Sequence, residues 1–118
     1  MTYIQLVIYH NPECSKSRRA LELLRQSGVK VEVIEYLKTP MDVATVNRLL
    51  DLLEIPPHAL LRTGEDEYAA LKLTSTSSRE EIVRAIVAHP ILMERPVVVY
   101  GERAIIGRPP EKVIDFLK

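Results

Sequence analysis

The single cysteine, Cys14, is the residue whose type and position point most directly to chemistry. It follows a run of β-branched and aromatic residues and precedes a helix-type pattern, so we expect it where a strand ends and a helix begins. The first amides of a helix have no intrahelical partner, and the helix dipole adds positive charge there. Both effects stabilise a thiolate and lower the pKa of a thiol. We therefore predict that Cys14 is a redox nucleophile.

Polar and basic neighbours of Cys14 support this prediction. Lys16, Arg18 and Arg19 follow it, and Arg18 lies four residues on, a spacing that puts two side chains on one helix face. His10, in the preceding loop, can hydrogen-bond either the loop or the sulfur. The structural alternative is a small buried cysteine, a packing histidine and a solvated basic helix face. The position at a strand-to-helix turn favours the redox interpretation.

Three further arginines lie at the ends of predicted elements: Arg62 after an apolar run, Arg95 before Pro96, and Arg108 after a glycine. A rigid scaffold presents functional groups at such positions. The planar fork of arginine donors matches oxyanions. The alternative for each is a helix cap or a surface ion pair, and spacing alone does not bring the three together.

The cysteine count limits the chemistry. One cysteine excludes an intramolecular disulfide, a Cys-x-x-Cys pair and a multi-cysteine zinc site, so a second sulfur must come from another molecule. The three histidines are scattered along the sequence, and we predict no metal and no tightly bound cofactor. Phosphatase-type loops separate the cysteine from a binding arginine by five residues. Here that position is Ala20, which argues against such a loop.

Length and charge limit the class of protein. The chain has 118 residues, 47% of them hydrophobic, which is the size of one domain with its own core. Its 16 basic and 16 acidic residues balance, so we expect no nucleic-acid partner. The sequence shows no signal-peptide pattern and no apolar stretch near the roughly 20 residues of a membrane span. We expect no membrane association and a cytoplasmic location.

The elements that must position Cys14 begin with a strand over residues 3–9, apolar at nearly every position as in a buried strand. The pattern then predicts a helix from Ser15, with Ala20, Leu21 and Leu24 on one stripe and a stop at 27–28. A second strand is expected over 31–37. This β-α-β order implies a parallel pair of strands.

The middle third, at about residues 40–90, predicts a helical insert. An apolar stripe indicates one helix, and the prolines at 56–57 begin a short second one. A helical turn is expected over 67–71, and Ser78 with Glu81 matches the capping box of a further helix with Ile82, Ala85 and Ile86 inward. The stripe of the first helix comprises Val43, Val46, Leu49, Leu50 and Leu53.

The last third predicts a strand over 97–100, a two-residue hairpin loop at Gly101-Glu102 and an antiparallel strand over 103–106. A final helix follows Pro109-Pro110, docked by Val113, Ile114 and Leu117. The order β-α-β, helical insert, β-β-α indicates an α/β fold with a mixed four-stranded sheet, as in a single thioredoxin-like domain spanning 1–118. In that fold the X-Pro bond just before this strand faces the active thiol and is cis, so by analogy we expect a cis Arg95-Pro96 bond.

Four segments together resemble the glutaredoxin-linked arsenate reductase (ArsC) family of the thioredoxin-like superfamily over nearly the whole chain. They are residues 8–18 (IYHNPECSKSR), 59–62 (ALLR), 89–99 (HPILMERPVVV) and 106–111 (IGRPPE). The resemblance implies an oxidoreductase that reduces arsenate to arsenite in arsenic detoxification. It also implies glutathione as co-substrate and glutaredoxin as partner, which suits a chain with one thiol.

The resemblance also implies roles for individual residues. Cys14 corresponds to the nucleophile that attacks arsenic, and His10 to a residue that influences it. Arg62, Arg95 and Arg108 correspond to the residues that bind arsenate or a similar oxyanion. Within the matching segment around the cysteine, Ser15 and Arg18 are also predicted to bind substrate.

One departure keeps other functions open. The best-studied family pattern has Gly-Thr-Ser-Arg after the cysteine, and this chain has Ser-Lys-Ser-Arg. A monothiol oxidoreductase acting on glutathione mixed disulfides would need Cys14 but not all three arginines. A non-catalytic binding module of the same superfamily is a third hypothesis. The branch that binds RNA polymerase usually has a Cys-x-x-Cys switch, and here the second position is Ser17.

Overall fold

The computed structural model describes residues 5–118. The chain divides into two compact units. One comprises the described residues up to Thr39 together with Arg95–Lys118, and the other is Pro40–Glu94, inserted in the chain between them. The expectation of one domain with an insert at about residues 40–90 stays a prediction.

The first unit contains the sheet: β1 (Leu6–Tyr9), β2 (Val31–Ile34), β3 (Val97–Tyr100) and β4 (Arg103–Ile106). The strand order is β2-β1-β3-β4. β1 is parallel to β2 and antiparallel to β3, and β3 is antiparallel to β4. The mixed four-stranded sheet and its parallel pair are therefore confirmed. Of the strand predicted over 3–9, residues 3 and 4 lie outside the described part of the chain.

The second strand is shorter than predicted, because it ends at Ile34 instead of residue 37. The amides of Lys38 and Thr39 both donate to the Glu35 carbonyl, so a turn replaces the ladder there. Leu37, expected within the strand, is 40% exposed.

Helix α1 (Ser15–Gln26) packs its apolar stripe on the sheet, and Gly28 with φ 82° follows its end, as the stop signal predicted. The five-residue helix α5 (Lys112–Phe116) packs nearby. Its predicted apolar face was partly wrong: Ile114 is 44% exposed, and Phe116 is buried beside Val113. Residues three apart share a helix face, so Val113 and Phe116 lie together on the buried face and Ile114 lies on the exposed one. The core of this unit contains Leu6, Ile8, Ala20, Leu21, Leu23, Leu24, Val98, Val113 and Phe116.

The strands β3 and β4 form the predicted hairpin. Tyr100 pairs with Arg103 across a two-residue loop, and Gly101 has a positive φ of 63°, a conformation that glycine adopts at little cost. The Arg95-Pro96 peptide bond at the entry to β3 is cis, as expected. The Arg108-Pro109 bond is also cis, which the sequence analysis did not predict.

The insert is helical, as predicted. It contains α2 (Val43–Leu53), α3 (Asp66–Ala70), α4 (Arg79–Ala88) and two 3₁₀ turns, Pro57–Leu60 and Pro90–Leu92.

Helices α2 and α4 pack together through buried positions that include Val46, Leu50, Ile82 and Ile86. The Ser78–Glu81 capping box at the start of α4 is confirmed. Val43, predicted inward, is 46% exposed, because it is the first residue of α2 and lies at the end of the packed stripe.

None of the helices described over residues 5–118 combines the length and the hydropathy that a bilayer crossing requires.

Candidate active site

Cys14 lies where the sequence places it, as the residue that caps α1. Its backbone is extended, with φ −97° and ψ 121°. Its amide donates to the Asn11 carbonyl at 3.0 Å, and its carbonyl accepts the Arg18 amide at 2.9 Å. The sulfur lies at the positive end of a twelve-residue helix. The residue is only partly buried, so solvent has some access to it.

The surroundings of the thiol favour its ionised form. Burial would raise the pKa of Cys14, but hydrogen bonds from the backbone amides of Ser17 and Lys16 oppose it. The side chain of Arg95 adds a hydrogen bond and a positive charge. The net result is a pKa below the ordinary value of a thiol. Amides at a helix start and an adjacent guanidinium are what turn a cysteine into a nucleophile.

The loop before Cys14 is organised around Ser17. His10 and Asn11 are almost completely buried, and Ser17 has no exposed surface. The Ser17 hydroxyl lies 2.6 Å from His10 Nδ1 and accepts the Asn11 amide at 3.1 Å. The sequence left open a hydrogen bond from His10 to the loop or to the sulfur, and the structure instead pairs its ring with the Ser17 hydroxyl of α1.

His10 is held in its neutral form by its environment. Burial is the main cause that lowers the pKa of His10, and the charges of Arg25 and Arg18 lower it further. Glu35 acts in the opposite direction and does not reverse the shift. A neutral imidazole places no cation beside the thiolate, so the positive charge that acts on Cys14 comes from Arg95 and the helix.

Ser17 was not predicted as a site residue, although it contributes twice. Its amide faces the Cys14 sulfur, and its side chain holds the loop that precedes the cysteine. Its position in the sequence could have indicated this role: Ser17 lies three residues after the capping residue Cys14, and the amide at that position of a helix points at the capping side chain. In the sequence, Ser17 stood out only as the position where a second cysteine is missing.

Arg18 and Ser15 both lie at the exposed start of α1. Arg18 Nη1 donates to the Pro12 carbonyl at 2.9 Å, so this side chain holds the loop. The role of both residues in substrate binding stays a prediction.

Arg95 contacts Cys14, and Arg108 in turn contacts the backbone of Arg95. Arg95 is 7% exposed and hydrogen-bonds the thiol, and Arg108 Nη1 donates to the Arg95 carbonyl at 2.9 Å. Gly107, which precedes Arg108, packs closely against Pro96, because a Cβ there would lie 3.1 Å from Pro96 Cγ. Of the three predicted arginines, Arg95 therefore contacts the thiol directly, and the role of Arg108 in oxyanion binding stays a prediction.

Arg62 lies in the insert, where two carboxylates contact it. Its Nε donates to Glu65 at 3.2 Å and its Nη1 to Glu94 at 2.9 Å. Burial acts to lower the pKa of Arg62, and the two carboxylates overcome it and raise the pKa. The expectation that Arg62 meets an oxyanion held beside Cys14 stays a prediction.

A cleft of about 470 Å³ runs along one side of α1. It is lined by His10, Arg18, Leu21, Glu22, Arg25 and Gln26. Its size is in the range of small-ligand sites, and its walls offer charges of both signs. Within residues 5–118, no three histidine, cysteine, aspartate or glutamate side chains are grouped as metal ligands.

Comparison with known proteins agrees with the fold. The model of the ArsC family matches residues 9–116. YfgD, an uncharacterized protein of Escherichia coli (strain K12), is 49% identical over 115 residues, which cover 96% of this chain and 97% of that protein. The arsenate reductase of Haemophilus influenzae is 38% identical over 116 residues, which cover 97% and 100%.

The solved structure of an arsenate reductase from Vibrio cholerae aligns with a TM-score of 0.91 at 41% identity and covers 97% of this chain and 98% of that one. This likeness and the strand order confirm the predicted thioredoxin-like α/β fold. The match over residues 9–116 includes Cys14 and all three arginines, and the chain therefore belongs to the ArsC family.

Proposed function

We propose that this protein is an arsenate reductase that converts arsenate to arsenite through a covalent adduct on Cys14, with glutathione and glutaredoxin as thiol donors. The observation that carries the proposal is the ionisable thiol at the start of α1, which hydrogen-bonds Arg95. A nucleophile and a cation that attracts an oxyanion are thereby adjacent. The names of the relatives from Haemophilus influenzae and Vibrio cholerae support arsenate as the oxyanion.

The chemistry requires two electrons from two thiols. The Cys14 thiolate attacks arsenic(V), a sulfur–arsenic bond forms, and one arsenic oxygen leaves as water after protonation. Glutathione then attacks the Cys14 sulfur, the sulfur–arsenic bond breaks, and arsenic departs as arsenite with the electron pair. The product on the protein is a mixed disulfide between Cys14 and glutathione. A single cysteine fits this sequence, because no second thiol of the chain competes for the adduct.

Glutaredoxin then attacks the glutathione sulfur of the mixed disulfide and releases Cys14 as a thiolate. The low pKa of Cys14 makes it a good leaving group in this exchange, because a thiol of lower pKa leaves faster. Glutathione as the donor rests on the family resemblance and on the single cysteine of the chain, since the lining of the cleft along α1 does not include Cys14. A cytoplasmic setting, where thiols are kept reduced, fits this cycle.

The arginines take the oxyanion in this proposal. Arg95 hydrogen-bonds the thiol, Arg108 is held against the Arg95 carbonyl, and the family resemblance supports Arg108 and Arg62 as the further contributors. Guanidinium groups fixed around arsenic stabilise the charge that builds on its oxygens during attack. The helix amides beside Cys14 add further donors.

The thiol donors are tested by omission. Arsenite production is followed with glutathione and glutaredoxin together, with each omitted, and with thioredoxin in their place. We expect turnover with the complete mixture, loss of turnover without glutathione, and only slow turnover without glutaredoxin. Undiminished turnover with thioredoxin alone would show that glutathione and glutaredoxin are not the required thiol donors. It would not contradict the role of Cys14 as the nucleophile.

A further inference from the structure

The backbone around Arg62 places two carboxylates, those of Glu65 and Glu94, against its guanidinium group. The segments around it pair in antiparallel fashion: Leu61 bridges Met93, the Arg62 amide donates to the Leu92 carbonyl at 2.7 Å, and the Glu94 amide donates to the Leu60 carbonyl at 2.8 Å. In such a pair, the residues that follow the bridged positions lie diagonally on one face, within reach of long side chains. This register explains the Arg62–Glu94 ion pair.

Glu65 completes the enclosure from the next turn. Its amide donates to the Arg62 carbonyl at 3.3 Å, and its carboxylate lies 3.2 Å from Arg62 Nε. The three side chains are each between 26% and 28% exposed, so the cluster is accessible but not freely solvated. Both carboxylates act on the guanidinium charge and together raise the pKa of Arg62.

The atoms involved matter for anion recognition. A guanidinium offers two edges for bidentate binding, one formed by Nε and Nη2 and the other by Nη1 and Nη2. Glu65 occupies a donor of the first edge, and Glu94 occupies a donor of the second. An incoming oxyanion therefore meets a carboxylate oxygen at whichever edge of Arg62 it approaches.

We propose that Glu65 and Glu94 make Arg62 selective for an oxyanion that carries protons of its own, the monoanionic form of arsenate or phosphate, and disfavour an oxyanion without protons. The hydroxyl of a protonated oxyanion donates to a carboxylate while its bare oxygen accepts from Arg62, so all three side chains are satisfied. A proton-free dianion offers only acceptors and is repelled by two negative charges. The proposal rests on the assignment of Arg62 to oxyanion binding.

Sulfate provides the discriminating probe, because it is a tetrahedral dianion without protons near neutral pH. Inorganic phosphate is the matched probe, since its protonation changes over the same range. The side-chain Nε–H signal of Arg62 is followed by NMR during titration with each anion, at about pH 6 and about pH 8, on either side of the second ionisation of phosphate. The spectrum also reports whether each variant is folded.

The variants are Glu94→Gln and Glu65→Gln, each of which keeps the size of the side chain and removes its charge. Glu80→Gln is the matched control, because Glu80 also pairs with an arginine, Arg84 at 2.7 Å, on an exposed helix face. For the wild type and the control, we expect phosphate binding that is tighter at the lower pH and much weaker binding of sulfate. For Glu94→Gln, we expect sulfate affinity to rise about tenfold, the equivalent of about 1.4 kcal/mol.

Three results would overturn the proposal: equal sulfate and phosphate affinity in the wild type, no response of Arg62 to either anion, or no gain for sulfate in both glutamine variants. Because none of these readouts involves turnover, they separate from the proposed function. If arsenate reduction is observed together with any of these three results, the proposed function stands and only the role of Glu65 and Glu94 is refuted.

Discussion

The buried imidazole of His10 and the buried hydroxyl of Ser17 lie 2.6 Å apart, and this pair connects the loop before Cys14 to the helix after it. The Ser17 hydroxyl also accepts the Asn11 amide, while the Ser17 amide points at the sulfur. His10 therefore acts on the thiol through Ser17, by fixing the amides that face it.

Replacement of Ser17 by alanine tests this relationship. The change leaves His10 Nδ1 and the Asn11 amide without their partner inside the protein, so we expect a loss of about 1–3 kcal/mol in the free energy of unfolding. Urea denaturation measures the loss. Ser15→Ala is the matched control at an exposed position, and equal stability of the two variants would contradict the role of Ser17.

The pKa of Cys14 is expected to depend on Arg95. In Arg95→Gln the thiol loses a cationic hydrogen-bond donor, and its pKa should rise, because an adjacent opposite charge favours the charged form of a group. The rate of alkylation by iodoacetamide as a function of pH gives the value. Arg19→Gln, on the exposed face of α1, should leave the curve in place. An unchanged curve in Arg95→Gln would remove Arg95 from the activation of the thiol.

His10 should make the fold sensitive to acid. The folded protein lowers the pKa of His10 below its ordinary value of about 6.5 and thus favours the neutral ring. The associated stability is present above that ordinary value and is lost as the pH falls through the lowered pKa, because proton uptake then favours the unfolded chain.

The comparison is between wild type and His10→Gln, with urea unfolding measured at about pH 7 and about pH 5. The variant is expected to lose less stability on acidification than the wild type. His89→Gln serves as the control, because His89 lies at the partly exposed end of α4. Parallel losses in wild type and His10→Gln would argue against the buried neutral ring.

Gly107 is expected to tolerate no side chain. A Cβ there would lie 3.1 Å from Pro96 Cγ and 3.2 Å from Val113 Cγ1, so Gly107→Ala should cost about 1–3 kcal/mol of stability through overpacking. Gly64→Ala is the matched control, because no atom lies within 4 Å of a Cβ built there. Thermal unfolding of both variants is the measurement, and a Gly107→Ala protein as stable as the control would show that this contact adjusts freely.

Much of the fold could be predicted because it depends on local patterns. Proline and glycine punctuation, the Ser78–Glu81 box and the change from helix to strand spacing gave the element order and the place of Cys14 at a helix start. The end of β2 and the phase of α5 were wrong. A turn at Glu35 and the burial of Phe116 depend on what each segment packs against, which spacing within a segment does not contain.

The site was predictable in its residue types but not in its contacts. Cys14, His10 and the arginines stand out by position, whereas the Ser17 hydroxyl is unremarkable until its burial against His10 is known. The carboxylate pair at Arg62 was equally hidden, because Glu94 is 32 residues away and meets it only through the pairing of two segments. Long-range partners of this kind follow from tertiary structure.

The central claim, that the Cys14 thiolate reduces arsenate, is tested most directly by coupled arsenate reduction. The assay contains glutathione, glutaredoxin and an NADPH-recycling system, with wild type beside Cys14→Ser. The account predicts arsenite production by the wild type and none above background by the variant, which is isosteric and should remain folded. Equal turnover by the two proteins, or no turnover by the wild type while its thiol still titrates below the ordinary value, would contradict the account.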